Sequence, residues 1–139
     1  MTSWTLLLAH HHPDERARCA DLGGVAVCRR CLAAWPLALC VIAAGVAVGW
    51  PVAGPGELVA LWSLPMAEYV AVHVGGRPYS ARRTWVLGPL LGLALGRTLH
   101  RYLLAPLDPV TWAILGVAAT VGGASAATYH VRVKNRESV

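Results

Sequence analysis

A dense cluster of metal-ligating residue types lies near the start of the chain. Three of the six histidines and three of the four cysteines fall within it. They are His10, His11, His12, Cys19, Cys28 and Cys31. The C-x-x-C spacing of the last two lets both thiolates face one ion, and three sulfurs with one imidazole complete a tetrahedral zinc shell. The segment therefore predicts a zinc site, although its spacing matches neither the standard zinc ribbon nor the standard zinc finger.

Two other interpretations of the same residues stay open, namely a redox-active cysteine pair and thiols that bind no metal. Cys28 and Cys31 are expected near a helix N-terminus, and Arg29 and Arg30 lie between them. Both features favour the thiolate, which is the nucleophile in redox chemistry and also the form that binds metal. They therefore do not separate a redox pair from a metal site.

The cluster belongs to an N-terminal arm, residues 1–31, which we expect on the cytoplasmic side of a membrane. The glycine pair at 23–24 lets the arm fold back on itself, and Asp21 before it is a good turn former. Residues 32–129 are predicted to form a four-helix transmembrane bundle. Residues 130–139 are predicted to form a basic, loosely ordered cytoplasmic tail.

The composition of the chain favours a membrane protein. Hydrophobic residues make up 56 % of the 139 residues and charged residues only 14 %, against about 25 % charged in soluble proteins. So few charges leave too little polar surface to face water. The net charge of +5 does not indicate nucleic acid, because the basic residues cluster beside apolar runs, as membrane topology predicts.

Four apolar runs follow the arm, and each is about as long as a transmembrane helix. They are Leu32 to Trp50, Glu57 to Val74, Thr84 to Leu104 and Val110 to Tyr129. About 20 helical residues cross the hydrocarbon core of a bilayer. The chain is therefore predicted to be an all-α integral membrane protein with four transmembrane helices.

The Lys and Arg residues outside the runs predict the orientation, because short cytoplasmic loops are enriched in both. Ten of them fall on one side, namely Arg16, Arg18, Arg29, Arg30, Arg77, Arg82, Arg83, Arg132, Lys134 and Arg136. The connections Trp50–Gly56 and Ala105–Pro109 on the other side carry none. We therefore expect a multi-pass protein of the inner (cytoplasmic) membrane, with both termini in the cytoplasm and the lipid bilayer as its partner.

Small residues recur every four positions on three of the runs. The stripes are Gly45 and Gly49 on the first run, Gly88, Gly92 and Gly96 on the third, and Gly116, Thr120 and Ala124 on the fourth. Such stripes let helix backbones approach closely in lipid. Interfaces inside the bundle are the favoured interpretation, and a homo-oligomer through these stripes stays open. Cys40, in the first run, is expected to be a small buried apolar residue.

Ionisable side chains within the runs are further candidates for function, because at membrane depth they usually face a bundle interior or a polar cavity. Glu68 and His73 lie toward the cytoplasmic side and are candidates for second-shell contacts to the metal, or for its fourth ligand. Arg97 and His100 lie toward the other side and could hold an anion such as a lipid phosphate. Arg101 is expected to snorkel to the outer headgroups. A Glu68–Arg97 ion pair is less favoured, because the two lie at different depths.

The arm also carries a recognisable pattern of an early histidine, a glycine-containing turn and a C-x-R-C that leads into the first apolar run. The matching positions are His10 or His11, Gly23 or Gly24, and Cys28, Arg30 and Cys31. In these features the chain resembles the small bacterial and archaeal membrane proteins grouped as domain of unknown function 2085. The resemblance extends from the arm to about the fourth run.

This chain departs from that family at two places. Ala9 stands where many members have an early cysteine, whose role Cys19 is placed to take over. Leu32 and Ala33 replace a Thr-Gly pair that is common after the C-x-R-C. The resemblance implies the membrane fold and treats the Cys/His cluster as one unit, but it implies no activity.

The leading functional hypothesis is a structural or binding protein, in which zinc clamps the arm onto the cytoplasmic face of the bundle. The alternative is a membrane enzyme. Its metal, or the pair Cys28 and Cys31, would act on a lipid-soluble or anionic substrate, with Arg97 holding the anionic group. A metal transporter is disfavoured, because the first and last runs offer no polar ligands for a pathway.

Overall fold

The computed structural model describes residues 18–137 of the chain. Within these residues a two-stranded hairpin precedes four α-helices. The chain is mostly helical, as expected, but the hairpin departs from the all-α prediction. The elements are β1 (Cys19–Leu22), β2 (Val25–Cys28), α1 (Arg29–Val48), α2 (Pro55–His73), α3 (Ala81–Leu104) and α4 (Pro109–Glu137).

The arm folds back at its glycine pair, as predicted, and the two sides pair as an antiparallel hairpin. Gly23 and Gly24 have φ angles of 63° and 85°, which residues with a Cβ rarely adopt. Two successive positive φ angles are typical of the tight turn that matches the twist of a two-stranded hairpin. The Asp21 carboxylate accepts a hydrogen bond from the Gly24 N–H at 2.7 Å and stabilises the turn.

The closest helix pair is α1 with α3, and the two helices run in the same direction. Gly88 faces Ala33, and two turns further along Gly96 faces Val41. A Cβ added at either glycine would stand 2.7 Å from the Cβ of its neighbour on α1. The glycine stripe of α3 is therefore an interface inside the bundle, which confirms the favoured prediction for this stripe.

The remaining helices pack less tightly. α2 contacts both α3 and α4, whereas α4 packs mainly on α2. Between α2 and α3, the Trp62 indole donates a buried hydrogen bond of 3.0 Å to the hydroxyl of Thr98. On α4 the small residues Gly116, Thr120 and Ala124 are exposed. The stripe on α4 therefore does not pack inside the bundle, and this part of the prediction is wrong.

Two helices in the described part of the chain are long and apolar enough to cross a membrane. They are α1, with a mean hydropathy of 2.3, and α4 over Pro109–Tyr129, with 1.5. Only 22 % and 11 % of the residues in these segments are buried. α2 and α3, which carry the charged residues of the runs, are not among them. Length and composition thus support two of the four predicted spans.

The helix bounds differ from the apolar runs for a simple reason. α1 and α3 begin at Arg29 and Ala81, three residues before their runs, because arginine is a good helix former although it ends an apolar run. For the same reason α4 continues to Glu137, so the tail is helical up to that residue.

Cys40 is exposed, and the prediction that it is buried is wrong, because α1 packs through the face that carries Ala38 and Val41.

Candidate functional site

Three cysteines lie where the hairpin joins the first helix. Cys19 and Cys28 are direct partners in the antiparallel register, so their side chains point to the same face with Cβ atoms about 4.5–5.5 Å apart. Cys28 also occupies the N-cap position of α1, without a side-chain hydrogen bond to the helix backbone, and its side chain is hydrogen-bonded to that of Cys31 in the first turn. The hairpin thus brings Cys19 to Cys28, a juxtaposition that the sequence spacing alone does not reveal.

The predicted histidine ligands, His10, His11 and His12, lie outside the described residues. Within residues 18–137, no three His, Cys, Asp or Glu side chains form a group that could hold a metal ion. These residues include Cys19, Cys28 and Cys31, the sulfur part of the predicted ligand set, so the three thiols as placed do not form a metal-binding group by themselves. The imidazole part of the set precedes Arg18 in the sequence.

The two arginines of the C-R-R-C segment are both engaged by neighbouring groups. Arg29 donates from Nε to the backbone carbonyl of Cys19 at 2.9 Å, which ties the first strand to α1. Arg30 forms an ion pair with the buried carboxylate of Glu68 on α2. Its guanidinium also lies 5.3 Å from the ring centre of Tyr69. The charge expected to activate the thiols is thus directed to Glu68, and this weakens the redox interpretation.

Glu68 therefore contacts the C-x-x-C segment through Arg30, and its predicted role beside a metal stays a prediction. Its partner is not Arg97, so the less favoured ion pair does not form. The depth argument is consistent with this result. Glu68 lies near the end of α2, and Arg30 lies at the start of α1, so both are at the predicted cytoplasmic end of the bundle.

His73 lies at the same end and is held in a defined orientation. Its ring stacks on Tyr69 with centroids 4.0 Å apart, and its Nδ1 is 2.9 Å from the Tyr69 carbonyl oxygen. The other nitrogen, Nε2, lies 3.5 Å from Nη1 of Arg18. Since a backbone carbonyl accepts from Nδ1, the Nε2 lone pair faces the arm.

Arg18, the residue before β1, fastens the arm to three parts of the bundle. Besides His73 on α2, its guanidinium lies 5.7 Å from the ring centre of Tyr79 in the α2–α3 connection. It also lies 5.4 Å from the ring of Tyr129 on α4. Such cation–π contacts are within the usual range of about 6 Å. The start of the hairpin is thus docked on the end of the bundle that is predicted to be cytoplasmic.

Arg97 lies at the opposite end of the bundle, where Glu57 on α2 neutralises it. Its Nε and Nη2 donate to the two carboxylate oxygens at 2.7 and 3.2 Å, and Nη2 also donates to the Pro51 carbonyl at 3.1 Å. The Trp50 ring covers the guanidinium at 5.0 Å. A carboxylate of the protein itself therefore occupies the place where an anionic ligand was predicted.

His100, one turn beyond Arg97, is only 1 % exposed. Its ring packs against the backbone of Gly45 on α1, where a Cβ would meet Cδ2 at 2.8 Å. His100 Nδ1 and Arg97 Nη1 are buried and have no hydrogen-bond partner among the described residues. This environment indicates a packing role for the imidazole rather than a site for a lipid phosphate.

Arg101 does not snorkel, and that prediction is wrong. Its Nε and Nη2 donate to the carboxylate of Asp108 at 2.8 and 2.7 Å, and Nη1 donates to the Ala53 carbonyl at 2.6 Å. The hydrogen bond from Arg101 is the main reason that the pKa of Asp108 lies well below its usual range, and two hydrogen bonds from Thr111 act in the same direction. A carboxylate close by in the chain is a better partner than a distant headgroup.

Sequence reasoning missed Glu57 as the partner of Arg97, although a signal was present. Glu57 opens the second apolar run, at the non-cytoplasmic end, and Arg97 lies toward that end of the third run. Matching charges by depth would have paired them.

Comparison of the chain with protein-family models, with curated proteins and with solved structures finds no match.

Proposed function

We propose that the protein is a four-span protein of the cytoplasmic membrane whose N-terminal arm binds one zinc ion. In this proposal the metal fixes the arm on the cytoplasmic face. The protein ligands are three thiolates and one imidazole, from Cys19, Cys28, Cys31 and one of His10 to His12. The observation that carries the proposal is the register of the hairpin, which sets Cys19 opposite Cys28, one helical turn from Cys31.

The donor set fits zinc in a structural role. Zinc in closed sites is held by four ligands of thiolate and imidazole type, and the arm supplies these types in these numbers. The surroundings also favour a clamp. Arg18 is held by the bundle, and Arg30 is held by Glu68 on α2. An ion bound between the strands would hold the arm rigid, and the contacts of Arg18 and Arg30 would attach the rigid arm to the bundle.

The pairing of their charges supports α2 and α3 as membrane spans, although these two helices are less apolar than α1 and α4. Charged side chains at membrane depth are tolerated when they pair with one another. Glu57 on α2 pairs with Arg97 on α3, and Glu68 on α2 pairs with Arg30 on α1. The exposed apolar surfaces of α1 and α4 favour a lipid environment for the whole bundle, since soluble proteins bury such helices.

Zinc content tests the proposal directly. Detergent-purified protein, prepared under reducing and chelator-free conditions, is expected to contain about one zinc ion per chain by inductively coupled plasma mass spectrometry. The substitutions Cys19→Ser, Cys28→Ser and Cys31→Ser should each lower that content strongly, because a hydroxyl is a poor substitute for a thiolate. Cys40→Ser is the matched control, and it should keep the full content because Cys40 lies on the exposed surface of α1.

Two results would overturn the zinc site. One is protein without zinc under these conditions, which would favour the thiol-redox alternative for Cys28 and Cys31. The other is equal zinc loss in the Cys40→Ser control, which would indicate a general effect of substituting cysteine. Chelation followed by proteolysis adds a second measurement, because removal of a structural zinc should expose the arm to cleavage.

A further inference from the structure

Four arginines surround the connection between α2 and α3 at the cytoplasmic end of the bundle. We call them the arginine patch, and they are Arg77, Arg82, Arg83 and Arg132. Three of them are exposed and Arg83 is partly exposed. They come from three parts of the chain, namely the connection itself, the first turn of α3 and the last part of α4.

Two of the arginines are held in place by the backbone of the connection. Arg132 donates from Nη1 to the Val74 carbonyl, and the same nitrogen lies 3.7 Å from the place of a Cβ at Gly76. Arg83 donates from Nη2 to the Pro78 carbonyl. Each uses one nitrogen for the backbone, and the remaining N–H groups of the oriented guanidinium are left for another acceptor.

No described carboxylate neutralises the patch. Asp21 accepts from the hairpin turn, Glu68 pairs with Arg30, and Glu57 and Asp108 pair with arginines at the opposite end. The non-cytoplasmic end therefore has each of its two described arginines matched by a carboxylate. Among the described residues, the cytoplasmic end has an excess of positive charge, to which the arginine patch contributes four arginines.

The position of Arg82 and Arg83 in α3 adds to this excess. They are the second and third residues of the helix, and the first turn contains no acidic residue. The N-terminus of a helix carries partial positive charge, which disfavours cations and favours anions. Two arginines at this place are therefore repelled by the helix, and an anion bound between them would relieve the repulsion.

Apolar surface begins directly beside the patch. Trp85 and Val86, one turn further along α3, are 48 % and 67 % exposed. A soluble anion gains nothing from such a surface, whereas a phospholipid contacts both regions at once. Its phosphate meets the arginines while its acyl chains lie along the apolar residues. The indole of Trp85 suits the headgroup level between these regions.

We infer that the arginine patch binds the phosphodiester headgroup of an anionic phospholipid in the cytoplasmic leaflet. The inference rests on the proposed membrane orientation and is independent of the zinc site. Guanidinium groups recognise phosphate oxygens with paired, charge-assisted hydrogen bonds. The patch thus selects among lipids by headgroup charge, in addition to any effect that its arginines have on topology.

Native mass spectrometry of the purified full chain tests this inference. The protein is offered equal amounts of phosphatidylglycerol and phosphatidylcholine in detergent, and it is expected to retain the anionic lipid preferentially. The double substitution Arg82→Gln/Arg83→Gln should lower this preference by roughly tenfold or more, because each basic residue at an anionic surface changes binding several-fold. Arg82→Lys/Arg83→Lys keeps the charge and should keep much of the preference.

A matched control separates a local site from net charge. Val52→Glu/Leu107→Glu lowers the net charge by the same two units at the opposite end of the bundle, where both side chains are exposed, and should leave the preference unchanged. Equal loss in both double variants would overturn the inference, and so would displacement of the lipid by a modest excess of inorganic phosphate. Equal retention of the two lipids by the unsubstituted chain would also overturn it, while membrane insertion and zinc content, which are measured separately, would stand.

Discussion

Gly92 occupies the point at which the backbones of α1 and α3 come closest. A Cβ at this position would stand 3.0 Å from the Cα of Ala34 and nearer still to its carbonyl oxygen. Because the neighbour is backbone, no side-chain rotation relieves the overlap. The small residue is therefore required for the helix pair to form at this distance.

We predict that Gly92→Ala destabilises the bundle by about 1–3 kcal/mol, the usual effect of overpacking a tight interface. Gly116→Ala makes the same chemical change on α4, where no atom lies within 4 Å of the added Cβ. It should leave stability unchanged or raise it slightly, because alanine is favoured over glycine inside a helix. Thermal unfolding of both variants in detergent, followed by circular dichroism, checks the prediction. Equal unfolding temperatures for the two variants would contradict the close α1–α3 contact.

At the residue scale, the sequence predicts which ionisable side chains are buried better than it predicts which residues they pair with. Glu68 and Arg97, selected as ionisable residues within the runs, are both buried, and each has a charged partner. Their partners, Arg30 and Glu57, lie 38 and 40 positions away in the chain and depend on how α2 packs against its neighbours. The hydrophobic pattern gives helix length and approximate depth, but it leaves rotation about the helix axis undetermined.

At the scale of elements, the junction between α3 and α4 depends on one carboxylate. Asp108 accepts hydrogen bonds from the Thr111 N–H at 2.8 Å and the Thr111 hydroxyl at 2.9 Å, which caps the start of α4. It also accepts two from Arg101 near the end of α3. The same carboxylate therefore caps α4 and forms the ion pair that joins the end of α3 to it.

These hydrogen bonds to Asp108 predict that the stability of the protein depends on pH. The pKa of Asp108 is depressed in the folded protein, mainly by the hydrogen bond from Arg101, whereas an unfolded aspartate has a pKa of about 3.9. Its contribution to stability is therefore fully present above that pH and is lost as the pH falls further toward the folded-state pKa. Unfolding temperatures between pH 7 and pH 3 should decrease in the unsubstituted protein.

Asp108→Asn isolates the contribution of the ion pair, because asparagine still caps a helix but cannot neutralise Arg101. We expect this variant to have a lower unfolding temperature at pH 7 and a smaller decrease toward pH 3. Asp21→Asn in the hairpin turn is a suitable control, because its carboxylate accepts only from the Gly24 N–H among the contacts that the structure describes. The same pH profile in Asp108→Asn as in the unsubstituted protein would contradict the assigned role.

The hairpin shows why short strands escape prediction. Its two strands have four residues each, which is too short for an alternating pattern to differ from chance. Only the glycine pair indicated a reversal of the chain. The pairing of Cys19 with Cys28 follows from the length of the turn, so the most informative feature of the candidate metal site depends on a turn rather than on the cysteine spacing.

At the scale of the whole molecule, the two ends of the bundle differ in charge and in architecture. The end with the hairpin holds the cysteines and the arginine patch, which none of the described carboxylates neutralises. At the other end Arg97 and Arg101 are paired with carboxylates of the protein. Between the two ends, the outer surfaces of α1 and α4 are mostly apolar and exposed. A bilayer crossing the bundle between these ends matches this distribution.

Cys40 provides a direct measurement of that bilayer position. It lies on the exposed surface of α1, more than half way along the helix. In intact vesicles we expect its reaction with a membrane-impermeant maleimide to be at least about tenfold slower than in denaturant, because a polar reagent does not enter the water-free hydrocarbon in which the thiol lies. Leu107→Cys is the matched control, because Leu107 is 90 % exposed in the α3–α4 connection and should react from the outside. Peptide mass spectrometry separates these thiols from those of the hairpin. Similar rates at Cys40 and at the new cysteine would contradict the crossing of α1 and, with it, the membrane orientation on which the arginine patch depends.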